Sequence, residues 1–271
     1  MLLPAARALR ARRSLILAYH GVAAPRHEED PHNLLVTPER FRGHVELLLG
    51  ADFEFVTVAE LARRAAGGSP PPGLAALSFD DGMQNNHSVV LPLLQEYGIP
   101  ATVFVTTGLI GSPNPWLSDS SGERMMNADE LRELTAAGIE LGAHTVNHPD
   151  LSLMDRESCL REMVDSRTAL ERLTGGPVTS FAYPFCRYGD AALEAAAQAG
   201  FSAAVTCEGR GGWHRFEMQR AMLTGKDGLA TFALKAVGAH QSLFDSAAGR
   251  AVRASTRGLR TRVRRRTQTR G

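Results

Sequence analysis

Five side chains with metal-ligand or acid–base chemistry stand just after short apolar runs. His20 follows residues 14–19 (SLILAY). Asp80 and Asp81, then Gly82, follow residues 74–79 (LAALSF). His144, with His148 four positions on, follows residues 139–143 (IELGA), and Pro184 and Phe185 follow residues 179–183 (TSFAY). Two adjacent carboxylates after a strand can divide their work, because successive side chains diverge. One binds a metal while its neighbour stays free as a base. Two imidazoles plus one carboxylate make the open three-ligand site of a hydrolytic metal, with water in the remaining position. Such an ion lowers the pKa of its water and polarises a carbonyl. Taken singly, each piece has a blander reading. Asp-Gly is common in turns, and two histidines four apart also fit a surface loop. The i, i+4 spacing suits a helix face, but Gly142 and Pro149 mark a passage from strand to loop here.

These groups need strands that end on one face. Residues 14–19 have the length and apolarity of a buried strand. The spacing of Phe41, Val45, Leu48 and Leu49 predicts a helix over 38–49 with Thr37 as its N-cap. Residues 53–56 read as a short strand, and Thr57 with Glu60 as a capping box opening a helix to about Ala66. After the loop 67–73 (GGSPPPG) come a strand at 74–79, a helix at 87–97 and a strand at 101–106. A helix capped by Asn127 and Glu130 ends at Gly138. Then follow a strand at 139–143, an amphipathic helix at 155–173, a strand at 179–183, a helix at 191–199 and a strand at 201–206. This alternation predicts mostly parallel strands with helical crossovers. The loop 111–122 is of insertion size, and no break splits the body. The expectation is a single-domain α/β barrel, closed or nearly so. An open doubly wound sheet ranks second, because no glycine-rich phosphate loop follows the first strand. In a barrel the strands' C-terminal ends form the active face, so His20, Asp80, Asp81, His144 and His148 would share it.

Composition narrows the partners. The 271 residues are 44% apolar and 22% charged, an ordinary globular balance that argues against disorder. No window holds 18 consecutive apolar residues, which excludes a membrane-spanning helix. Cys159, Cys186 and Cys207 are too few and too scattered for a disulfide framework or a Cys-rich zinc site. The net charge of +1 is unevenly spread. Residues 1–13 carry four Arg and residues 250–271 nine, with no acid in either segment. Once those arginines are set aside, residues 14–249 are left at −12. A nucleic-acid-binding domain carries its basic surface on its own body, so no nucleic-acid partner is expected. Residues 1–13 read as a basic N-terminal segment and 246–271 as an Arg-rich, solvated tail. The tail's functional reading is peripheral contact with an anionic membrane surface or polymer. Arg7, Arg10, Arg12 and Arg13 fall where the apolar core of a signal peptide would lie. The expected location is therefore cytoplasmic or membrane-peripheral.

Several motifs together resemble the polysaccharide deacetylase family (the NodB-like domain of carbohydrate esterase family 4). SFDDG at 78–82 resembles its first motif, HTVNH at 144–148 its H-[ST]-x-x-H metal motif, and FAYPFC at 181–186 its third. LAYHGV at 17–22 is similar to the start of the branch whose last catalytic motif has moved to the N-terminus. YGIPATVF at 97–104, with Pro92 before it, also matches as scaffold. The resemblance covers residues 14–225 and implies a distorted (β/α)7 barrel, with a catalytic domain over 14–245. It implies a divalent metal, zinc or another ion such as cobalt, on Asp81, His144 and His148. It implies Asp80 as general base and His20 as general acid, with Phe185, Tyr183 and Pro184 at the oxyanion and substrate. The implied reaction removes N-acetyl or O-acetyl groups from an acetylated glycan or oligosaccharide.

Departures are also visible. Ala182 stands where the third motif often begins with a base-orienting Arg, and Arg220 is the candidate replacement. The fourth motif's Asp-Trp pair is not evident, which leaves Trp116 or Trp213 to line a sugar site or simply to pack. Cys186, where the family usually has Gly, reads as a small buried residue. His240 ranks below His20 as the acid. Two rival functions remain: a small-molecule C–N hydrolase acting on cyclic imides or ureides, and a non-catalytic glycan-binding relative.

Overall fold

The computed structural model describes residues 2–25, 27–207 and 213–236. His240 and the Arg-rich tail lie outside them. Strands β1 (Leu15–Tyr19), β2 (Gly21–Val22), β3 (Leu35–Val36), β4 (Glu54–Val56), β5 (Leu74–Phe79), β6 (Thr102–Val105), β7 (Glu140–Ala143), β8 (Ser180–Ala182), β9 (Ala203–Thr206), β10 (Met218–Gln219) and β11 (Ala221–Met222) alternate with helices α1 (Leu2–Arg10), α2 (Pro38–Gly50), α3 (Val58–Arg64), α4 (Leu91–Tyr97), α5 (Ala128–Ala136), α6 (Arg156–Thr174), α7 (Asp190–Gln198) and α8 (Leu229–Ala236). The main sheet runs β10-β9-β8-β7-β6-β5-β1-β11, and its pairs are parallel. Its two ends are one continuous segment. Met218 and Gln219 pair with β9, Ala221 and Met222 with β1, and Arg220 sits between. That segment is the seventh stave of a barrel closed at its seam. β4 pairs only with the first half of β5 and is not a stave.

Local chemistry explains the helices. The Thr37 hydroxyl accepts from Arg40 N at the start of α2, and the full capping box of Asn127 and Glu130 opens α5. Gly175 ends α6 in the left-handed conformation. The helix expected over 87–97 divides: Asn86–Val90 is a wider turn that leads into α4. Pro92 has no N–H to give back to the preceding turn. The basic N-terminal segment is not just a charged end. It forms α1, whose Ala6 and Leu9 are buried in the main core, and its Arg7 Nη2 donates to Gly50 O of α2 at 3.2 Å.

Two apolar layers hold the barrel. Inside it, Ile16, Ala76, Phe104, Ala182, Ala203, Val205 and Met218 pack together over Val58 and Leu61 of α3. Outside it, the alternate strand residues, Leu17, Leu77 and Val103 among them, meet the helices. Residue alternation along each strand thus feeds both layers. None of the described helices is long and apolar enough to cross a membrane.

Candidate active site

The residues after β1, β5, β7 and β8 converge at one end of the barrel. The Asp81 carboxylate comes within 3.5 Å of His144 Nε2 and 3.4 Å of His148 Nε2 through the same oxygen, Oδ1. Ligand atoms from the three residues lie within 4.8 Å of one another. Two ligand atoms about 2.1 Å from a tetrahedral ion sit about 3.4 Å apart, so the spacing fits a metal. So does the chemistry. Asp81 Oδ1 is buried with no hydrogen-bond partner. His144 Nδ1 lies 2.8 Å from Ala182 O, which fixes the ring and leaves Nε2 turned inward.

This arrangement needs unusual backbone. Asp81, Thr145 and His148 have φ of 74°, 67° and 56°, a left-handed region that costs an L-residue roughly 1–2 kcal/mol. Surrounding hydrogen bonds hold them. The Glu162 carboxylate of α6 takes Val146 N at 2.8 Å, Asn147 N at 3.0 Å and Asn147 Nδ2 at 2.6 Å. Thr145 Oγ1 accepts from His148 N at 3.0 Å. Gly142, just upstream, is required by packing: a Cβ there would lie 2.5 Å from the Phe104 ring.

Asp80 has a different partner. Arg220 grips it with both guanidinium ends, Nη1 to Oδ1 at 2.6 Å and Nη2 to Oδ2 at 2.8 Å. The Arg220 side chain is fully buried. Its Nη1 also donates to Ser78 Oγ, and its backbone N to Thr206 O at 2.7 Å. The seam of the barrel is therefore what carries Arg220 to Asp80. Burial alone would raise the Asp80 pKa, but the charges of Arg220 and His144 outweigh it and the group lies below its usual value. Burial likewise opposes ionisation of Asp81, yet its two histidines hold it well below the carboxylate range. For His144, burial favours the neutral ring, and Asp81 and Asp80 together reverse that.

His20 stands near enough to both carboxylates for its charge to lower each pKa. Its Nδ1 is buried without a partner, and its carbonyl accepts from Asn86 Nδ2 at 2.9 Å. Phe185 is 54% exposed and packs edge-on against His148, with ring centres 4.5 Å apart. Trp116, on the insertion loop, meets His148 at 4.9 Å. Tyr183 and Pro184 are buried, and the Tyr183 ring packs between Phe181 and Tyr188. Trp213 instead packs on the barrel-interior cluster. Cys186, expected as a small buried thiol, is only half-buried and is bonded to Cys207, with Cα atoms 5.3 Å apart. The two cysteines come together because the segment after β8 and the end of β9 are neighbours, which their 21-residue separation hid. Glu162 was also missed: nothing in the helical pattern separates it from the other acids of α6.

Several known proteins are similar to this chain. The family model for polysaccharide deacetylase matches residues 67–204, half of the chain. A putative polysaccharide deacetylase of Bacillus subtilis, YxkH, is 26% identical over 194 residues, covering 71% of this chain and 64% of that protein. A poly-beta-1,6-N-acetyl-D-glucosamine N-deacetylase of Staphylococcus aureus is 28% identical over 130 residues, 48% of this chain and 43% of that one. The chain thus spans less than two thirds of the length of these curated relatives. Among solved structures, the Streptococcus pyogenes deacetylase PplD in complex with acetate superposes with a TM-score of 0.70 at 25% identity, covering 82% of this chain and 97% of that one.

Proposed function

Because the chain belongs to the polysaccharide deacetylase family, we propose that it is a metal-dependent hydrolase removing N-acetyl or O-acetyl groups from a glycan or oligosaccharide. The observation that carries this reading is the division of two neighbouring buried carboxylates. Asp80 is committed to Arg220, and Asp81 faces His144 and His148.

Asp81, His144 and His148 would hold a divalent ion, zinc or another such as cobalt. When bound, such an ion acidifies water and polarises a carbonyl. Asp80 accepts the proton of the attacking water on a carboxylate oxygen, and Arg220 keeps that carboxylate ionised and aimed. The Phe185 N–H donates to the acetyl oxygen as charge develops there. His20 gives a proton to the departing sugar amine, which leaves poorly without one. Trp116 and Phe185 flank His148 and offer apolar faces to a sugar ring. The name of the Staphylococcus aureus relative makes an N-acetylated hexosamine oligomer the first substrate to try.

The test is acetate release from a panel of acetylated oligosaccharides after metal stripping and again with Zn²⁺ or Co²⁺ restored. Metal-dependent release supports the reading. Hydrolysis of cyclic imides with no acetate released would replace it by the small-molecule C–N hydrolase, and binding without turnover by a glycan-binding role.

A further inference from the structure

The segment that follows β8 is strained and poorly anchored by its own contacts. Phe185 and Cys186 are consecutive non-glycine residues, both at φ 56°. Such conformations persist only where the surroundings over-determine them. The Phe185 ring, more than half exposed, meets His148 edge-on and is otherwise open to solvent. The segment's internal bonds are short-range: Cys186 N to Tyr183 O and Arg187 N to Pro184 O, each 3.0 Å. The Phe185 N–H takes part in neither.

Its ties to the rest of the molecule run to the loop before α6, through Arg187 Nη1 on Asp150 Oδ2 at 2.9 Å, and to β9. Tyr183 N donates to Val205 O at 3.2 Å, and Thr206 Oγ1 to Cys186 O at 3.3 Å. Cys186 is bonded to Cys207, the residue directly after β9. The same strand end also accepts Arg220 N on Thr206 O. One anchor therefore serves both the amide facing the acetyl oxygen and the arginine on the base, and the covalent link in it is the disulfide. Cα atoms 5.3 Å apart are at the usual disulfide separation.

We propose that the Cys186–Cys207 disulfide is a positioning element of the active site, holding Phe185 and Cys186 in their left-handed conformation so that the Phe185 amide stays aimed at the acetyl oxygen. The catalytic part of this rests on the deacetylase reading; the positioning part does not. Cysteine is not required at 186 for its thiol. Its part is to let the bridge over-determine a backbone conformation that glycine would adopt unaided.

Three forms of the full chain test this: wild type opened by a phosphine reductant, Cys207→Ser, and the double variant Cys186→Gly/Cys207→Ser. Each is read by kcat and KM for acetate release, by bound metal, and by amide hydrogen exchange over residues 184–187. Opening the bridge is expected to speed exchange there and to lower kcat up to about 100-fold, since the donor is misaimed rather than removed. KM and metal content should hold. The double variant should regain most of the rate without a bridge, because glycine adopts positive φ without a Cβ clash. Unchanged exchange and kcat after opening would overturn the proposal. So would a fall in kcat that the glycine variant does not recover, since that marks a general loss of stability. Faster exchange in a wild type that releases no acetate would uphold the positioning and count against the deacetylase reading alone.

Discussion

At the scale of residues, the two aspartates side by side are the centre of the account. Asp81→Ala, His144→Ala and His148→Ala should each lose bound metal as well as turnover, because the three face one another with Asp81 Oδ1 otherwise unpartnered. Full occupancy in all three variants, by elemental analysis of dialysed protein, would remove the ligand assignment. His20→Asn should keep its metal, lose most N-deacetylation and lose the alkaline limb of the pH–rate profile, which reports a group that must be protonated. An ester with a good leaving group should be spared much of that loss, and loss of metal would make His20 a ligand. His20, Asp81 and His144 stand just past apolar strands and His148 four positions on, which made them candidates, and the family resemblance gave them their roles. Arg220 was legible only through the resemblance, because Ala182 stands where the family's third motif often has its Arg. Its two bonds to Asp80 depend on a closing stave too short for any periodic signal. Trp116 stood as one of two tryptophans, and only the fold of the insertion loop brings it to His148.

At the scale of elements, caps and strand ends carried the information. Thr37, Asn127, Asp155 and Gly175 mark helix ends that the structure keeps. α1 was hidden because four arginines among alanines and leucines read as charge before they read as an amphipathic face. α2 and α8 are joined by a feature with a pH consequence. The His44 ring of α2 stacks on Phe232 of α8 at 4.2 Å, and its Nδ1 lies 3.2 Å from Tyr19 Oη. Burial lowers the His44 pKa from 6.5 to about 4, with Asp227 opposing and Arg40 assisting. The unfolded chain therefore binds this proton at higher pH than the folded one. The contribution is complete above the unfolded value near 6.5 and is lost as pH falls toward 4, about 3 kcal/mol in all. Urea unfolding at pH 7.5 and pH 4.5 should show a smaller acid loss for His44→Gln than for the wild type. Equal losses would mean that His44 is not the group responsible.

At the scale of the whole molecule, the alternation of strands and helices was enough to expect a barrel. How the barrel closes was not legible, because its seam is two two-residue strands around Arg220. Removing residues 250–271 should leave turnover on a soluble oligosaccharide unchanged, while any binding to anionic vesicles should weaken and lose its salt dependence. A fall in turnover on the soluble substrate would place the tail in the catalytic unit. The central claim, that adjacent carboxylates hold separate posts, is tested most directly by Asp80→Asn assayed for acetate release with its bound metal measured on the same sample. The account predicts wild-type metal content with turnover reduced about 10²- to 10⁴-fold. Near-wild-type turnover, or loss of the metal along with the activity, would contradict it.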